Sequence, residues 1–288
     1  METFNDNWHL SRQELIEQIN AGWLMLLSQP IIRLGDIIDA DCFAEICLRW
    51  IPEERENSIP GNFLVALEDA GLAPIADQWA IHCAARVVRA DNKLHRSKAH
   101  TQRPLKKYSI YLSEKSIVSG VIGRYIGNVL QKEGINGSGI VFGSTFDVAA
   151  RNSQAFSELA EQFSDLDCAI ALAGSPTLDE LIWARKILRI SYIKLDLGGS
   201  NTIAGFRCLE KKYATLIHCC SLLKIQTIAQ FVEDPEIIPH LQKIGVDFVQ
   251  GYGLALPSLI ESKLGLPFSL TEEFSHPAPS DHARRQAA

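Results

Sequence analysis

An acid, a thiol and a guanidinium recur at two-residue spacing in the run Cys42-Phe43-Ala44-Glu45-Ile46-Cys47-Leu48-Arg49-Trp50. The run is apolar and lies between Asp39 and Asp41 on one side and Pro52 on the other, so it reads as a buried strand. Side chains alternate along a strand, which puts Glu45, Cys47 and Arg49 on one face and Ala44, Ile46, Leu48 and Trp50 on the other. A carboxylate in the middle of such a run is costly unless it is paired, hydrogen-bonded or bound to a metal. Two chemistries fit: a structural ion pair, or a ligand or catalytic carboxylate projecting into a pocket. Lys194 and Asp196, in Tyr192-Ile193-Lys194-Leu195-Asp196, have the same spacing and also share a face. A buried lysine can act as a nucleophile or as a counter-ion. A third group is the basic stretch Arg89, Lys93, Arg96, Lys98, Arg103, Lys106 and Lys107, interrupted by Asp91 alone. It fits an anion-binding patch or a solvated loop between a helix and a strand.

The chain that must position these groups has 288 residues, 47% of them hydrophobic and 22% charged. That is the composition of a soluble globular protein with a sizeable core. The formal net charge of -6 argues against generic nucleic-acid binding. Gln29, Arg33 and Asp36 interrupt the longest early apolar run, so no membrane span is expected. Met1 to Asp6 has neither a basic nor an apolar leader region, and the 7 cysteines form no Cys-x-x-Cys pair or zinc-type cluster. A reducing, cytoplasmic location is the expectation.

Ser11 and Glu14 form a capping-box signature for a helix in an N-terminal extension, residues 1–22. From Trp23 onward, strands and helices alternate. Strands are expected at Trp23–Ile32, around Glu45, and at 108–112, 139–144, 168–173, 192–195, 227–232 and 248–252. Helices are expected at 62–70, 74–90, 113–130, 148–163, 178–189, 203–223 and 235–244. About eight strands separated by helices in roughly 250 residues predict an α/β fold with a mostly parallel sheet closed into a barrel, a (β/α)8 arrangement. No Gly-x-Gly-x-x-Gly or Gly-Lys-Ser/Thr phosphate loop is present. The barrel domain is placed at 23–264 and a disordered tail at 265–288, where Pro, Ser, His and charged residues dominate. In such a barrel, chemistry sits at the C-terminal ends of the strands.

Read in order, the polar residues at those ends resemble the EAL domain, the modified barrel that hydrolyses the bacterial second messenger cyclic di-GMP. Gln29-Pro30-Ile31 resembles the family's Q-P-I, and Glu45-Ile46-Cys47-Leu48-Arg49-Trp50 its E-A-L-L-R-W. Pro60 to Leu72 resembles P-x-x-F-I-x-x-A-E-x-x-G-L, and Tyr192 to Asp196 resembles V-L-K-I-D. Ile228 to Glu233 resembles I-A-E-G-V-E, and Asp247 to Tyr252 resembles D-x-x-Q-G-Y. The resemblance covers Trp23 to Pro257 and implies a modified TIM-type barrel of the EAL type.

It also implies retained family positions at Glu45, Lys194, Asp196, Glu233 and Gln250, and nucleotide-contacting positions at Gln29 and Arg49. The departures fall on the positions that hold two divalent metals and the general base. The family's Asn is Tyr111, the first Glu of its E-I-T-E strand falls on Val141 and the second on Ser144. Its Asp-Asp pair falls on Ala173-Gly174, and the general-base Glu is Gln230. Magnesium takes near-octahedral oxygen coordination, and a carboxamide cannot accept a proton from water. Magnesium or manganese binding is therefore expected to be lost, with no cofactor, and the resemblance implies a catalytically inactive regulatory protein. It would act through a protein partner in cyclic di-GMP-linked motility or biofilm regulation. A metal-independent cyclic di-GMP receptor is the alternative, with weak binding expected, and an active phosphodiesterase is the remote one. A homodimer is left open. Inside the barrel, Glu45, Lys194, Asp196 and Glu233 are expected to converge, with Lys194 paired to Glu45 or Asp196 and another acid nearer solvent.

Overall fold

The computed structural model describes residues 11–20, 24–35, 42–50, 61–97, 105–197 and 203–260. The expected tail, the Gly35–Asp36 turn beyond Gly35, and the middle of the basic stretch lie outside the described residues. The strands are β1 (Leu24–Pro30), β2 (Ile32–Arg33), β3 (Phe43–Trp50), β4 (Lys107–Tyr111) and β5 (Ile140–Thr145). They continue with β6 (Ala169–Ala173), β7 (Tyr192–Asp196), β8 (Gln226–Gln230), β9 (Phe248–Val249) and β10 (Ser258–Leu259). From β3 to β9 each strand pairs in parallel with the next. β1 runs antiparallel to β3, with Gln29 opposite Glu45. Just past Pro30 the same segment runs antiparallel to β9, with Ile32 opposite Val249. One bent segment thus bonds to both ends of the parallel series and curls the sheet into a barrel. β10, absent from the sequence reading, lies along the outer side of β1.

The helices are α1 (Arg12–Asn20), α2 (Gly61–Asp69), α3 (Ala73–Ser97), α4 (Glu114–Val118) and α5 (Ile122–Glu133). After them come α6 (Phe146–Arg151), α7 (Ser153–Asp165), α8 (Leu178–Ile187), α9 (Ile203–Leu222) and α10 (Ile238–Lys243). The expected helix at 113–130 is two, separated by Gly120 at φ +67, and the one at 148–163 is broken at Asn152. Propensity does not see such breaks, because one residue outside the helical region, Gly120 at positive φ or Asn152 at φ -117 and ψ 40, suffices to redirect the chain. α3 runs on to Ser97, so Arg89 and Lys93 stand on a helix rather than in a loop, and Arg89 pairs with Glu133 at 2.9 Å. Lys107 opens β4 and donates to the Tyr192 hydroxyl at 2.7 Å. α1 carries the capping box, with the Ser11 N–H and hydroxyl both donating to Glu14 at 2.7 Å, and buries Leu15 and Ile19 in the main core.

Two apolar layers result. The larger lies between the outer sheet face and the helices, where Ala44, Ile46, Tyr108 and Ile110 meet α3 and its neighbours. The smaller fills the barrel axis with Ile31, Phe43, Val141, Ala171, Tyr192, Ile228 and Phe248. The rings of Phe43, Tyr192 and Phe248 meet at 5.3 to 6.2 Å between centroids. This plug is the floor on which the polar residues of the next inward layer stand. No helix among the described residues is long and apolar enough to cross a membrane.

Helices α7, α8 and α9 each return to the sheet through a residue with positive φ: Asp167 (+59), Arg189 (+53) and Lys224 (+56). Glycine is the usual residue there because a Cβ clashes with the backbone in that conformation. Lys224→Gly should therefore stabilise the fold by roughly 0.5–1 kcal/mol, net of the extra chain entropy glycine loses. Urea unfolding of the two proteins gives the comparison, and a loss of stability would mean that the Lys224 side chain contributes more than its backbone costs.

Candidate functional site

Above the plug, β3 aims Glu45 inward, and β7 brings Lys194 to it from across the barrel. The ammonium and the Glu45 Oε1 form an ion pair, with Lys194 only 2% exposed. The other carboxylate oxygen, Oε2, accepts from Gln250 Nε2 at 2.7 Å. The same amide also donates to Gln29 Oε1 at 3.1 Å, and Gln29 Nε2 donates to the Ala255 carbonyl at 3.0 Å. Gln230 completes the relay from β8, its Nε2 reaching Gln250 Oε1 at 3.4 Å. Each amide is oriented by the next, and the only charged acceptor, Glu45, receives a cation on one oxygen and an amide on the other.

The local sequence explains why Gln230 and Gln250 meet. At the start of β8, the Thr227 N–H and hydroxyl donate to the Asp247 carboxylate at 2.8 and 3.0 Å. Three residues on, the Gln250 N–H donates to the Ala229 carbonyl and its carbonyl accepts from the Val232 N–H. The two strand ends are therefore zipped together. Gly251 and Gly253 allow it: a Cβ at Gly251 would fall 2.1 Å from the Val232 oxygen, and one at Gly253 2.0 Å from the Glu233 oxygen. The same turn sets Phe231 at φ +60, in the left-handed region, at the position where the family motif I-A-E-G-V-E has glycine. A side chain there costs about 1–2 kcal/mol of backbone strain.

The network opens into a cavity of about 480 Å³. Its polar end holds Gln29, Glu45, Arg49, Gln230 and Gln250, and its rim carries Tyr111, Phe231, Glu233 and Tyr252. Its lining continues along β3 and helices α2 and α3, with Leu64, Ala73, Ala76, Asp77 and Ala80. The Arg49 guanidinium donates to the Leu48 carbonyl at 3.0 Å. Burial pushes the Glu45 carboxyl up, but the Lys194 charge, the Lys194 and Gln250 hydrogen bonds and Arg49 outweigh it and leave it below the ordinary carboxylate range. Burial raises the Cys47 thiol to about 12, helped by Glu45, so it stays protonated and is no nucleophile at neutral pH.

The expected site residues divide into those the barrel brings together and those it does not. Glu45, Lys194, Gln250, Gln230 and Gln29 are in hydrogen-bonded contact, and Arg49 and Tyr111 line the same cavity. Glu233 lines that cavity at its exposed rim, and Asp196 is exposed at the end of β7. Ser144 is buried on β5, alternating with the inward residues. Val141, the expected place of the first E-I-T-E Glu, lies in the apolar plug with Phe43 and Tyr192. On β5 the inward residue paired with Tyr111 is Gly143, and the next, Thr145, pairs with Ala173. Moving the family's E-I-T-E two residues along puts its first Glu on Gly143, its Thr on Thr145 and its second Glu on Phe146. A two-residue slide keeps the same face, so alternation cannot detect it. Ala173 pairs with Lys194 at the site's level, and Gly174 has φ +139, a conformation an aspartate would not adopt without strain.

The family model for the EAL domain matches residues 12–257, and the chain belongs to this family. It is 24% identical over 243 residues to the cyclic di-GMP phosphodiesterase PdeF of Escherichia coli K12, covering 84% of this chain and 31% of the relative. It is 26% identical over 251 residues to the cyclic di-GMP phosphodiesterase PdeB of Shewanella oneidensis, covering 86% and 28%. The chain thus spans less than a third of the length of these curated relatives. Among solved structures, the FimX EAL domain of Pseudomonas aeruginosa bound to cyclic di-GMP matches with a TM-score of 0.70 at 23% identity, covering 85% of this chain and 94% of that one. The EAL-type barrel is therefore the fold, and cyclic di-GMP signalling is the family's setting.

The family's metal pair can be tested against the donors present. Glu45 has both oxygens engaged, and the neighbouring positions supply a phenol, hydrogen or methyl groups and a carboxamide from Tyr111, Gly143, Ala173, Gly174 and Gln230. Divalent magnesium requires a near-octahedral set of oxygens, and these side chains do not provide one.

Two measurements follow. Lys194→Met should destabilise the fold by about 3–5 kcal/mol at neutral pH by leaving Glu45 buried and unpaired. The deficit should shrink once acid protonates Glu45; a pH-independent deficit would show that packing, not charge, is what Lys194 supplies. Asp77, buried at the edge of the cavity, is raised to about 6 by burial, against hydrogen bonds from the Ser113 N–H and hydroxyl. A carboxyl raised on folding costs stability above its folded value and ceases to as pH falls through it toward the unfolded value. Asp77→Asn should accordingly flatten the stability profile between about pH 4 and pH 6, and a profile identical to the parent protein's would refute this.

Proposed function

We propose that this EAL domain works without hydrolysing cyclic di-GMP, as a regulatory protein that acts through a protein partner in cyclic di-GMP-linked control such as motility or biofilm formation. The observation that carries the reading is the closed hydrogen bonding of Glu45. In a hydrolytic site of this family the acid would hold metal and a second acid would take the proton of water. Here the acid is neutralised by Lys194 and Gln250, and the residue at the base position is the Gln230 amide, which donates to Gln250.

Turnover would need an acceptor for the water proton and a stabiliser for the phosphorane charge. Gln230 cannot be the acceptor, and its amide hydrogens are directed into the relay. A receptor reading has one observation in its favour: the Arg49 guanidinium lines the cavity, where it could meet a phosphate. Without metal it would carry nearly all of the phosphate recognition alone, so binding weaker than low micromolar is expected.

Incubation of the full chain with cyclic di-GMP and magnesium or manganese should yield no linear dinucleotide. Product formation abolished by Glu45→Ala would overturn the reading. Gln230→Glu should not restore cleavage, because Gly143, Ala173 and Gly174 still offer no carboxylate. It should also lower stability by about 1–3 kcal/mol, since a carboxylate facing Gln250 Oε1 sets two acceptors against each other and can be accommodated only by turning the Gln250 amide away from Glu45. Isothermal titration with cyclic di-GMP, with and without magnesium, checks the binding expectation; tight binding lost in Arg49→Ala would establish the receptor instead.

A further inference from the structure

We propose that the cavity rim at Phe231 is a docking site for a protein segment that carries a lysine or arginine beside an apolar side chain. The inference rests on the protein-partner reading above and adds the chemistry of that partner.

Phe231 carries two unfavourable features at once. Its backbone is left-handed, a conformation imposed by the zipped ends of β8 and β9, where the Val232 N–H must reach the Gln250 carbonyl. Its ring is 57% exposed, so the molecule recovers little of the burial that a phenylalanine normally contributes. Glycine would satisfy the turn with neither cost. A strained, exposed aromatic at the mouth of a cavity points from the outlier to a function, and the function must be served by the ring. Tyr252 projects from the other side of the same zip, also 57% exposed, and both line the cavity. Two exposed rings on one rim form the kind of aromatic anchor surface that protein interfaces use.

The charges of the rim choose the occupant. Glu233, two residues after Phe231, lines the cavity, is exposed, and among the described residues makes no ion pair. Asp196 is exposed on the next strand, its Cα in register with Gln230. Acids beside aromatic faces attract a cationic side chain through both the carboxylate and the ring quadrupole. They repel the phosphates of a nucleotide, and among the described residues the one cationic side chain lining the cavity, Arg49, belongs to its polar end. A basic side chain flanked by an apolar one satisfies ring and carboxylate together.

The probe is a phage-displayed library of random peptides selected on the full chain. Selected peptides should carry lysine or arginine next to an apolar residue, bind more weakly at high salt, and lose about tenfold in affinity to Phe231→Ala and to Glu233→Gln. Phe231→Gly should raise the thermal midpoint by a few degrees while losing the same binding, the signature of a side chain kept for contact and not for the fold. The proposal is overturned if no peptides are enriched, if they are acidic, or if their affinity is unchanged in Phe231→Ala. A fall in thermal midpoint in Phe231→Gly, or cyclic di-GMP binding that depends on Phe231, overturns it as well. Hydrolysis of cyclic di-GMP would instead sink the non-catalytic reading, whichever way the peptides bind.

Discussion

A carboxylate held inside a barrel has to be neutralised close to where it stands, because little water remains around it to screen the charge. Glu45 imposes that condition on everything around it. Lys194 answers it from the opposite wall with a full charge, and Gln250 answers with an amide hydrogen on the second oxygen. Gln250 can donate to Glu45 only if its own oxygen faces Gln230 and its second hydrogen faces Gln29. The orientation of three amides on three strands therefore follows from one buried charge. A pair of this kind is not a large source of stability in itself; its desolvation offsets much of its attraction. What it does is fix the relative positions of β1, β3, β7, β8 and β9.

The same strands hold the cavity open. The plug of Phe43, Tyr192 and Phe248 fills the axis beneath the network, so the polar layer cannot sink further into the barrel. Beside it, small residues line the cavity: Ala73, Ala76 and Ala80 on α3, and Gly251 where β9 meets the turn after β8. The polar floor thus follows from which residues the curled sheet directs inward, and the apolar wall from the side chains that α2 and α3 add.

Membership of the EAL family settles the barrel and its setting but leaves the activity to individual side chains. Function resides in sites carried by folds, and the residues that organise this barrel interior, Glu45, Lys194 and Gln250, bond to one another directly. They have a structural task, the mutual satisfaction of a buried charge and a buried amide, that does not depend on a metal. Phe231 shows the opposite case, a residue with no benefit to the fold in a position the fold has shaped for glycine.

Much of this was legible in the linear sequence. The alternation around Glu45 and the two-residue spacing of Lys194 and Asp196 determined which side chains face inward, because the period of a strand is a local property. The alternation of elements determined the barrel, and the ordered motifs determined the family. The level of each residue along the barrel axis was a different matter. Val141 and Gly143 share a face, and only the tertiary packing puts Val141 in the apolar plug while Gly143 pairs with Tyr111. Tertiary structure alone also decided that β1 bends to meet both β3 and β9, that Lys194 takes Glu45 and leaves Asp196 at the surface, and that Phe231 sits at positive φ. Each of these depends on groups far apart in the chain meeting across the sheet, and no local pattern records where a distant strand will stop.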